Sequence, residues 1–364
     1  MRFLVSCPFG LSKLVQNELR YLGLTPHHSF ETWIYVDGDF ADMMKINLRS
    51  RIANKVYLEA AFGPCFDFDA LFALVQTVDW KNYVNEWQNI VVTVHSKWSK
   101  LESTRTIQAI TNKAVYKQIS PNGTWSMNPK KETLDVFVMI INDRASIFIN
   151  SSWAPLHQRW YRSQTGEAPL KENLAAALVV LSRWKYGSPF WDPFCGSGTL
   201  AIEAALLARN IAPGLKRTFA YQQWNNLDKE LYLKIKTEAK NKQYKDKTYQ
   251  ILCSDSDEKI LEIAKTNAEQ AWVDDTISFT KHDILSPLLP YELNDLTIVS
   301  NPPYGKRLTG SDLDNIYTQL INHIQNSNWG WFITSYKDCE RNLPKEWRKK
   351  KLFNGADEVM FYFR

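Results

Sequence analysis

Apolar and polar residues alternate along this chain with two different periods, one typical of strands and one typical of helices. Over residues 1–63 the segments follow the order strand, helix, strand, helix, strand. "RFLVSC" has the pattern of a strand, and "GLSKLVQNELRYLG" places Leu14, Leu19 and Leu22 at helical spacing. This order predicts a small α+β domain of ferredoxin-like type over residues 1–63.

A second pattern covers residues 64–154. "FDALFALVQTV" and "STRTIQAITNKAVYKQI" have the period of helices, and "QNIVVTVHS" between them has that of a strand. "LDVFVMIINDRASIFINSS" predicts a β-hairpin that turns at Asn142 and Asp143. We therefore predict a second domain over residues 64–154.

Residues 155–364 alternate between helices and short apolar strands. "KENLAAALVVLSRWKYG" predicts a strong helix, and "LTIVS", "WGWFITS" and the closing pair "KKLFNG" and "DEVMFYFR" predict strands. Such alternation predicts a parallel, doubly wound α/β sheet of Rossmann-like type. The polar, Lys-rich segment 213–247 predicts a helical insertion on that scaffold.

Composition limits the classes of protein that fit. The formal net charge of +5 permits a polyanionic partner without requiring one. The five cysteines lie far apart with no CxxC pair, which predicts neither a metal site nor a disulfide framework. Charge and Gly interrupt the N-terminal apolar stretch, and no long apolar run follows it. We therefore expect no signal peptide, no membrane span and a cytoplasmic location.

The stretch "FWDPFCGSGTLAIEAALLA" joins a strand end at Asp192 to a helix that begins near Thr199. Between them, Gly196 and Gly198 let the backbone approach a ligand closely, and the helix N-terminus favours a negative group. The spacing fits neither the dinucleotide fingerprint nor the P-loop, so a tight loop without a ligand is the alternative. Asp192 strengthens the interpretation as a ligand site, because it could meet a cationic group.

Two further acidic residues follow predicted strands. Asp255 ends the strand in "QILCSD", where a carboxylate is well placed to accept both hydroxyls of a ribose. The alternative is that Asp255 or Asp257 only caps the next helix; we predict that Asp257 caps it and Asp255 binds the ligand. Asp283, in "ISFTKHDIL", could accept from an adenine amine, although such a residue is more often part of a surface turn.

"IVSNPPYGKRL" raises the question of why an apolar strand runs directly into Asn301, Pro302 and Pro303. Proline removes a backbone donor and ends strands, so a simple strand end is one explanation. The other is that Asn301 and the stiff Pro-Pro backbone are held in place for chemistry.

These motifs, in this order, resemble the class I S-adenosylmethionine-dependent RNA guanine-N2 methyltransferases of the RlmL and YpsC type. "RWYRSQTGEAPLKENLAAAL", "DPFCGSGT", "NPPYGKRL" and "KLFNGADEVMFYF" carry the resemblance over the last two hundred residues or so. In that family a ferredoxin-like unit and a THUMP domain precede the catalytic domain, which implies domains at 1–63, 64–154 and 155–364. "SKLESTRTIQAITNKAVY" resembles the THUMP helix region more weakly.

The resemblance implies S-adenosylmethionine as the cofactor and the N2 amine of a guanosine in RNA as the target. The implied catalytic residues are Asn301, Pro302, Pro303 and Tyr304. The implied cofactor-binding residues are Asp192, Phe194, Gly196, Gly198, Thr199, Asp255, Ser256, Asp283 and Asn301. No metal is required. Large-subunit (23S) ribosomal RNA is the family's usual target, and tRNA is the second candidate.

Basic residues suggest where RNA would bind. Residues 95–131 hold seven Lys and Arg residues against Glu102 alone, which suits phosphate contacts but also suits a solvated helix face. The candidate RNA contacts are Lys97, Lys100, Arg105, Lys113, Lys117, Arg159 and Arg162. "HQRWYR" and "WRKKK" could track RNA, or they could be a linker and a sheet edge guarded by Lys.

Other functions remain open from the sequence. An adenine N6 amine or a glutamine side chain poses the same chemical problem as guanine N2, so "NPPY" alone excludes neither. A protein of another class, an RNA-binding protein with an inactive methyltransferase fold, is opposed by the intact Asp192, Asp255, Asn301 and Tyr304. We therefore expect an enzyme.

Overall fold

The computed structural model describes residues 1–84, 88–120, 132–162, 170–286, 295–304, 310–327 and 329–363. The chain forms two compact units. The first comprises Met1–Cys7, Val15–Leu156 and Arg217–Thr237, and the second comprises Pro8–Leu14, His157–Lys216 and Glu238–Arg364.

The first sheet has seven strands in the order β2-β3-β1-β4-β7-β6-β5. Its strands are β1 Arg2–Ser6, β2 Pro26–Ser29, β3 Trp33–Asp37, β4 Lys55–Pro64, β5 Asn89–Lys97, β6 Thr133–Ile141 and β7 Arg144–Asn150. The helices of this part of the chain are α1 Ser12–Tyr21, α2 Phe40–Arg49, α3 Phe68–Gln76 and α4 Thr104–Ile119. β5 and β6 are parallel, and the other pairs are antiparallel.

The order β1-α1-β2-β3-α2-β4 confirms the predicted ferredoxin-like fold. The sequence did not reveal β2, because "PHHS" is polar, largely exposed and lacks apolar alternation. The predicted hairpin is confirmed as β6 and β7, and Asn142 and Asp143 take φ values of 50° and 57° at its turn. A left-handed pair of this kind matches the twist of a tight hairpin.

Strand β4 belongs to both halves of this sheet. It pairs with β1 from Lys55 to Leu58 and with β7 from Tyr57 to Pro64. The predicted division between residues 63 and 64 therefore falls at the end of a shared strand. The boundaries of the three predicted domains remain predictions.

The second sheet has the order β10-β9-β8-β11-β12-β14-β13. Its strands are β8 Phe190–Asp192, β9 Ile251–Asp255, β10 Ile277–Lys281, β11 Thr297–Ser300, β12 Trp329–Thr334, β13 Arg348–Asn354 and β14 Asp357–Phe363. The remaining helices are α5 Glu172–Leu181, α6 Thr199–Ala208, α7 Lys229–Asn241, α8 Glu258–Ala271 and α9 Gly310–Asn326. The first five strands in that order are parallel and the last two pair antiparallel, which confirms the predicted doubly wound sheet.

Helix α9 shows why this sheet is covered where it is. Its buried residues Leu313, Tyr317, Leu320 and Ile324 recur at intervals of three and four, so they lie on one helical face. This face packs into a core cluster with Phe332 of β12. Burial of such side chains stabilises the fold by roughly 1.5–3 kcal/mol each.

The segment 213–247 contains the predicted helix, α7. The prediction that the whole segment belongs to the α/β domain was wrong in part. Residues Arg217–Thr237 belong to the first unit, although the sequence suggested an insertion on the second. Arg217 donates to the carbonyls of Ala154 and Pro155, at 2.7 and 2.8 Å. Polar partners that lie so far apart along the chain leave no local pattern to recognise.

None of the helices in the described ranges is both long enough and apolar enough to cross a membrane.

Gly330 in β12 is a position where the fold depends on a missing side chain. A Cβ built there would lie 2.3 Å from Cγ2 and 2.6 Å from Cγ1 of the buried Ile324. We expect Gly330→Ala to lower the free energy of unfolding by about 1–3 kcal/mol through overpacking, measured by denaturant titration. Gly187→Ala is the control, because a Cβ there meets nothing within 4 Å. Equal stability of the two variants would contradict this packing.

Candidate active site

The candidate site lies where parallel strands end together. Asp192 ends β8, Asp255 ends the neighbouring β9, and Asn301 directly follows β11 on the other side of β8. The chain runs outward from β8 to β10 and then returns to β11, so the strand order reverses between β8 and β11. Ligands of doubly wound sheets bind at the carboxyl ends of strands at such a reversal.

Asp192 is buried beside this reversal. Its Oδ1 accepts from Phe194 N at 3.3 Å and from Ser300 Oγ at 3.3 Å, so one hydrogen bond joins β8 to the residue before Asn301. Burial is the main cause that raises the pKa of Asp192, to about 8, and the hydrogen bonds only partly oppose it. A cationic group placed next to this carboxyl would favour its charged form.

The glycine turn that follows is held open. Gly196 and Gly198 have φ values of 51° and 82°, in the region that favours glycine. Nothing lies within 4 Å of a Cβ built on Gly196, whereas one on Gly198 would lie 3.1 Å from Ala264 Cβ. Gly196 therefore leaves space for a ligand, while Gly198 lets α6 begin close to α8.

The carboxylate of Asp255 ties this turn to β9. Its Oδ2 accepts from Gly196 N at 3.0 Å and its Oδ1 accepts from Asp257 N at 3.1 Å. Each carboxylate oxygen can accept more than one hydrogen bond, so these contacts leave capacity for a ligand. Burial is the first cause that raises the pKa of Asp255. Asp257 accepts from Lys259 N and caps α8, which confirms its predicted role.

The other predicted cofactor residues surround the same edge. Phe194 is half-buried, and Ser256 and Asp283 are exposed. Asp283 follows β10 and accepts from Leu285 N at 3.0 Å, which is a turn contact and leaves its second oxygen for other partners. Thr199, the first residue of α6, is buried and accepts from Arg162 at 2.6 Å.

The segment after β11 is fixed from two sides. Tyr317 of α9 donates to the carbonyl of Pro303 at 3.2 Å, and its hydroxyl also hydrogen bonds with Thr334 of β12. The Tyr304 hydroxyl hydrogen bonds with Asn354. Asn301 and Tyr304 are half-buried, so both can contact a substrate. "GKRL", which follows Tyr304, lies outside the described residues.

Sequence reasoning missed three residues of this arrangement: Ser300, Tyr317 and Asn354. Ser300 could have been noticed, because it is a polar residue at the end of an apolar strand. Asn354 ends β13 and also accepts from Lys171 N at 3.1 Å, at the start of α5. No local signal marks Tyr317 or Asn354, since their partners are distant in the chain.

The predicted RNA contacts of Arg159 and Arg162 are corrected. The guanidinium of Arg159 is 1% exposed and forms an ion pair with the buried Glu203 at 3.1 Å. Arg162 pairs with Glu172 at 3.3 Å and is 11% exposed. Both residues line a pocket, but their carboxylate partners already satisfy them, so the structure supports a role in holding elements together over a phosphate contact.

The remaining predicted RNA contacts are on the surface. Lys97, Lys100, Arg105, Lys113 and Lys117 are exposed, whereas Lys130 and Lys131 lie outside the described residues. "WRKKK" contributes to β13, the edge strand of the second sheet, where Lys349 and Lys351 pair with Glu340 and Glu358. Of the two interpretations of "WRKKK", the structure therefore supports the sheet edge.

Among the described residues, no three His, Cys, Asp or Glu side chains come close enough together to hold a metal ion. The five cysteines are buried and free.

A doubly wound sheet with a glycine turn, acidic strand ends and an Asn-Pro-Pro-Tyr segment defines a class I methyltransferase. Residues 159–360 match the RMKL-like methyltransferase domain, residues 2–57 match the RlmL ferredoxin-like domain and residues 65–150 match the THUMP domain. The chain belongs to the RMKL-like methyltransferase family, which confirms the predicted resemblance and fold.

Two curated relatives align with nearly the whole chain. "Putative RNA methyltransferase YpsC" of Bacillus subtilis (strain 168) is 34% identical and covers 99% of this chain and 94% of its own. "Ribosomal RNA large subunit methyltransferase K/L" of Shewanella frigidimarina is 33% identical over 99% of this chain, which spans only 52% of that enzyme. The structure of SMU.472, "a putative methyltransferase complexed with SAH", superposes with a TM-score of 0.86 at 30% identity, covering 100% of this chain and 97% of that one.

The predicted cofactor, S-adenosylmethionine, is confirmed for this family, since SAH is its demethylated form. The residues of this chain fit it. The open space over Gly196 admits a ligand to the backbone, and Asp255 keeps capacity to accept hydroxyl groups. In the part of the chain that the structure describes, no cation pairs with the buried Asp192.

Asp192 gives the chain a pH-dependent stability. Because its pKa is raised from 3.8 to about 8 in the folded state, folding favours the protonated form. The contribution of Asp192 to stability is fully present below about pH 4 and is lost as the pH rises toward 8. Between pH 5 and 8, we expect the free energy of unfolding of Asp192→Asn, without cofactor, to fall by on the order of 4 kcal/mol less than that of wild type. If urea titrations gave the two proteins the same change in the free energy of unfolding with pH, the buried, protonated carboxyl would be contradicted.

Proposed function

We propose that this chain transfers a methyl group from S-adenosylmethionine to the exocyclic N2 amine of a guanosine in RNA, with 23S ribosomal RNA as the substrate. The observation that carries the proposal is the position of Asn301, one residue after the Ser300 that hydrogen bonds to Asp192 across the strand reversal. Asn301 and the glycine turn therefore lie at one edge of the sheet, which supports an amine acceptor next to a cofactor-binding turn.

The chemistry explains why Asn and Pro are needed there. A guanine amine shares its lone pair with the ring, so it is a poor nucleophile. The Asn301 amide oxygen and the Pro302 carbonyl would accept hydrogen bonds from its two N–H groups as the nitrogen becomes pyramidal. Proline fixes φ at residues 302 and 303, and Tyr317 holds the carbonyl of Pro303, so these acceptors are pre-aimed.

S-adenosylmethionine supplies an electrophilic methyl group on a cationic sulfur, which leaves as a neutral thioether while the methylated amine releases one proton to water. Asp255 would accept from ribose hydroxyls, and Asp283 would accept from an adenine amine. Asp192 would balance a cationic group with its carboxylate. Tyr304, which is half-buried and held by Asn354, would stack on the extruded guanine.

RNA as substrate is supported by three features. Residues 65–150 match the THUMP domain, the exposed Lys and Arg residues of α4 suit phosphates, and both named relatives are RNA methyltransferases by name. We also propose the domain boundaries at 63/64 and 154/155, and a cytoplasmic location where such RNA is found.

Substrate choice is tested by labelled methyl transfer into ribosomal RNA, tRNA and DNA in parallel, followed by nucleoside analysis. We expect N2-methylguanosine from 23S ribosomal RNA. Label in tRNA guanosine would replace the ribosomal assignment, and label in adenine of DNA would overturn the guanine-N2 proposal. No transfer to any substrate would favour an RNA-binding protein with an inactive fold.

Asn301→Ala tests the acceptor role. Because hydrogen bonds that strengthen in the transition state affect turnover, we expect the single-turnover rate to fall by roughly a hundredfold or more. RNA and cofactor affinities should stay within a few-fold of wild type. Asn301→Asp keeps an acceptor and should retain more activity than Ala. If the Ala variant lost only affinity, or kept the wild-type single-turnover rate, Asn301 would not be a catalytic residue.

Asp255→Asn tests the cofactor contact. Loss of the charged acceptor, worth roughly 1.5–3 kcal/mol, should weaken S-adenosylmethionine binding at least tenfold in calorimetry. Asp257→Ala, two residues away, is the matched control. It removes the cap of α8 and should cost about 1 kcal/mol of stability without changing cofactor affinity. Equal affinities for both variants would exclude Asp255 from the site.

A further inference from the structure

A group of exposed aromatic rings lies at one end of the first sheet, and each ring has a cation over it. Lys97 Nζ lies 4.1 Å from the Trp98 ring, Lys100 Nζ lies 5.7 Å from the Phe66 ring, and the Arg144 guanidinium lies 4.6 Å from the Phe62 ring. We call these six residues the aromatic–cation rim. Neither the predicted RNA contacts nor the methyltransferase site includes its three rings.

Backbone contacts show that the rim is one continuous surface. Lys97 at the end of β5 accepts from Asn142 N in the β6–β7 turn. Asp143 of the same turn accepts from Lys100 N at 2.7 Å, and its carbonyl accepts from Cys65 N at 2.7 Å, next to Phe66. The loop after β5, the β6–β7 turn and the end of β4 are therefore held against each other.

Trp98 is the most exposed of the three rings, and its backbone is constrained. Its side chain is 70% exposed although tryptophan is usually largely buried. Its φ of 54° lies in the left-handed region, which is unfavourable for a non-glycine residue. Ser99 Oγ holds the loop by donating to the Lys97 carbonyl and accepting from Asp143 N, both at 3.1 Å. Strain of this kind persists only where the surrounding structure enforces it, and it is found most often at functional sites.

The charges of the rim favour an anionic partner. Its three cations are exposed. Of the carboxylates near them, Asp67 accepts from Ala70 N and Asp143 accepts from Lys100 N, while Glu102 is exposed, so the cations outnumber the carboxylates without such a partner. Helix α4, with exposed Arg105, begins four residues after Lys100. Flat ring faces next to cations match a nucleotide, whose base stacks while its phosphate meets the charge.

We propose that the aromatic–cation rim binds an unpaired stretch of the RNA substrate by stacking its bases on Trp98, Phe66 and Phe62. This inference rests on the proposed function, because it names the form of RNA that the chain recognises. Bases inside an A-form duplex are stacked on each other, so only unpaired nucleotides offer a free face to a ring. The rim thus selects loops or single-stranded ends, while the Lys and Arg residues of α4 contact phosphates of any sequence.

The test uses the whole chain and a labelled RNA of about eight unpaired nucleotides, with fluorescence anisotropy as the readout. We expect Trp98→Ala to weaken binding about tenfold, because the loss of stacking on one ring lowers affinity by roughly fivefold to more than a hundredfold. Trp98→Phe keeps a ring and should recover most of the affinity. The same variants should bind a duplex of equal length like wild type.

Trp272→Ala is the matched control. Trp272 is 49% exposed and has Lys216 Nζ 3.4 Å from its ring, but it lies in the second unit, outside the rim. We expect no change for this variant. An RNA of the same length without bases at its centre should bind wild type and Trp98→Ala equally, because only phosphate contacts remain.

Wild-type affinity of Trp98→Ala for the unpaired RNA would overturn the inference, and so would an equal loss for the duplex or for the RNA without bases. Binding is measured without cofactor and without methyl transfer. A chain that binds unpaired RNA through Trp98 but methylates none would overturn the proposed function and leave this inference standing. If variants without the rim rings bound and methylated RNA like wild type, the inference would be overturned and the proposed function would stand.

Discussion

The hydrogen bond from Ser300 to Asp192 joins the two strands between which the second sheet reverses its order. Everything proposed for the site depends on that junction. One strand leads into the glycine turn and the other leads into Asn301, so a ligand bound at the turn lies beside the acceptor segment. Parallel strands make this possible because their carboxyl ends share one edge of the sheet. The raised pKa of Asp192 is the electrostatic cost of placing a carboxyl in that junction, and a cationic ligand group would offset it.

Around this junction, buried polar contacts join helices of the second unit to the segment that precedes α5. Arg162 connects Glu172 of α5 to Thr199 of α6, and Arg159 and Tyr161 both contact Glu203. Breaking a buried pair leaves an uncompensated charge and costs several kcal/mol, so such pairs hold elements in one arrangement. Catalysis by positioning needs that rigidity, because acceptors must be in place before the amine changes shape.

The sequence predicted much of this arrangement, and what it missed has a common cause. Asp192, Asp255 and Asn301 could be found because each follows an apolar strand, and strand ends of a parallel sheet converge. Arg159 and Arg162 were misassigned because a charged residue beside aromatic ones has the same pattern on a surface and in a core. Only the buried Glu203 and Glu172 decide between these cases, and they are distant in the chain. Strand β2 and the packing of Arg217–Thr237 were missed because polar segments acquire their structure from partners elsewhere.

The central claim is that cofactor and target amine meet at the reversal between β8 and β11. A crystal structure of this chain with S-adenosylhomocysteine tests it most directly. The account predicts the ligand at the carboxyl ends of β8 and β9, with its ribose hydroxyls donating to Asp255 and its sulfur facing the segment from Asn301 to Tyr304. A ligand bound away from these strand ends, or one whose sulfur faces away from Asn301, would contradict it.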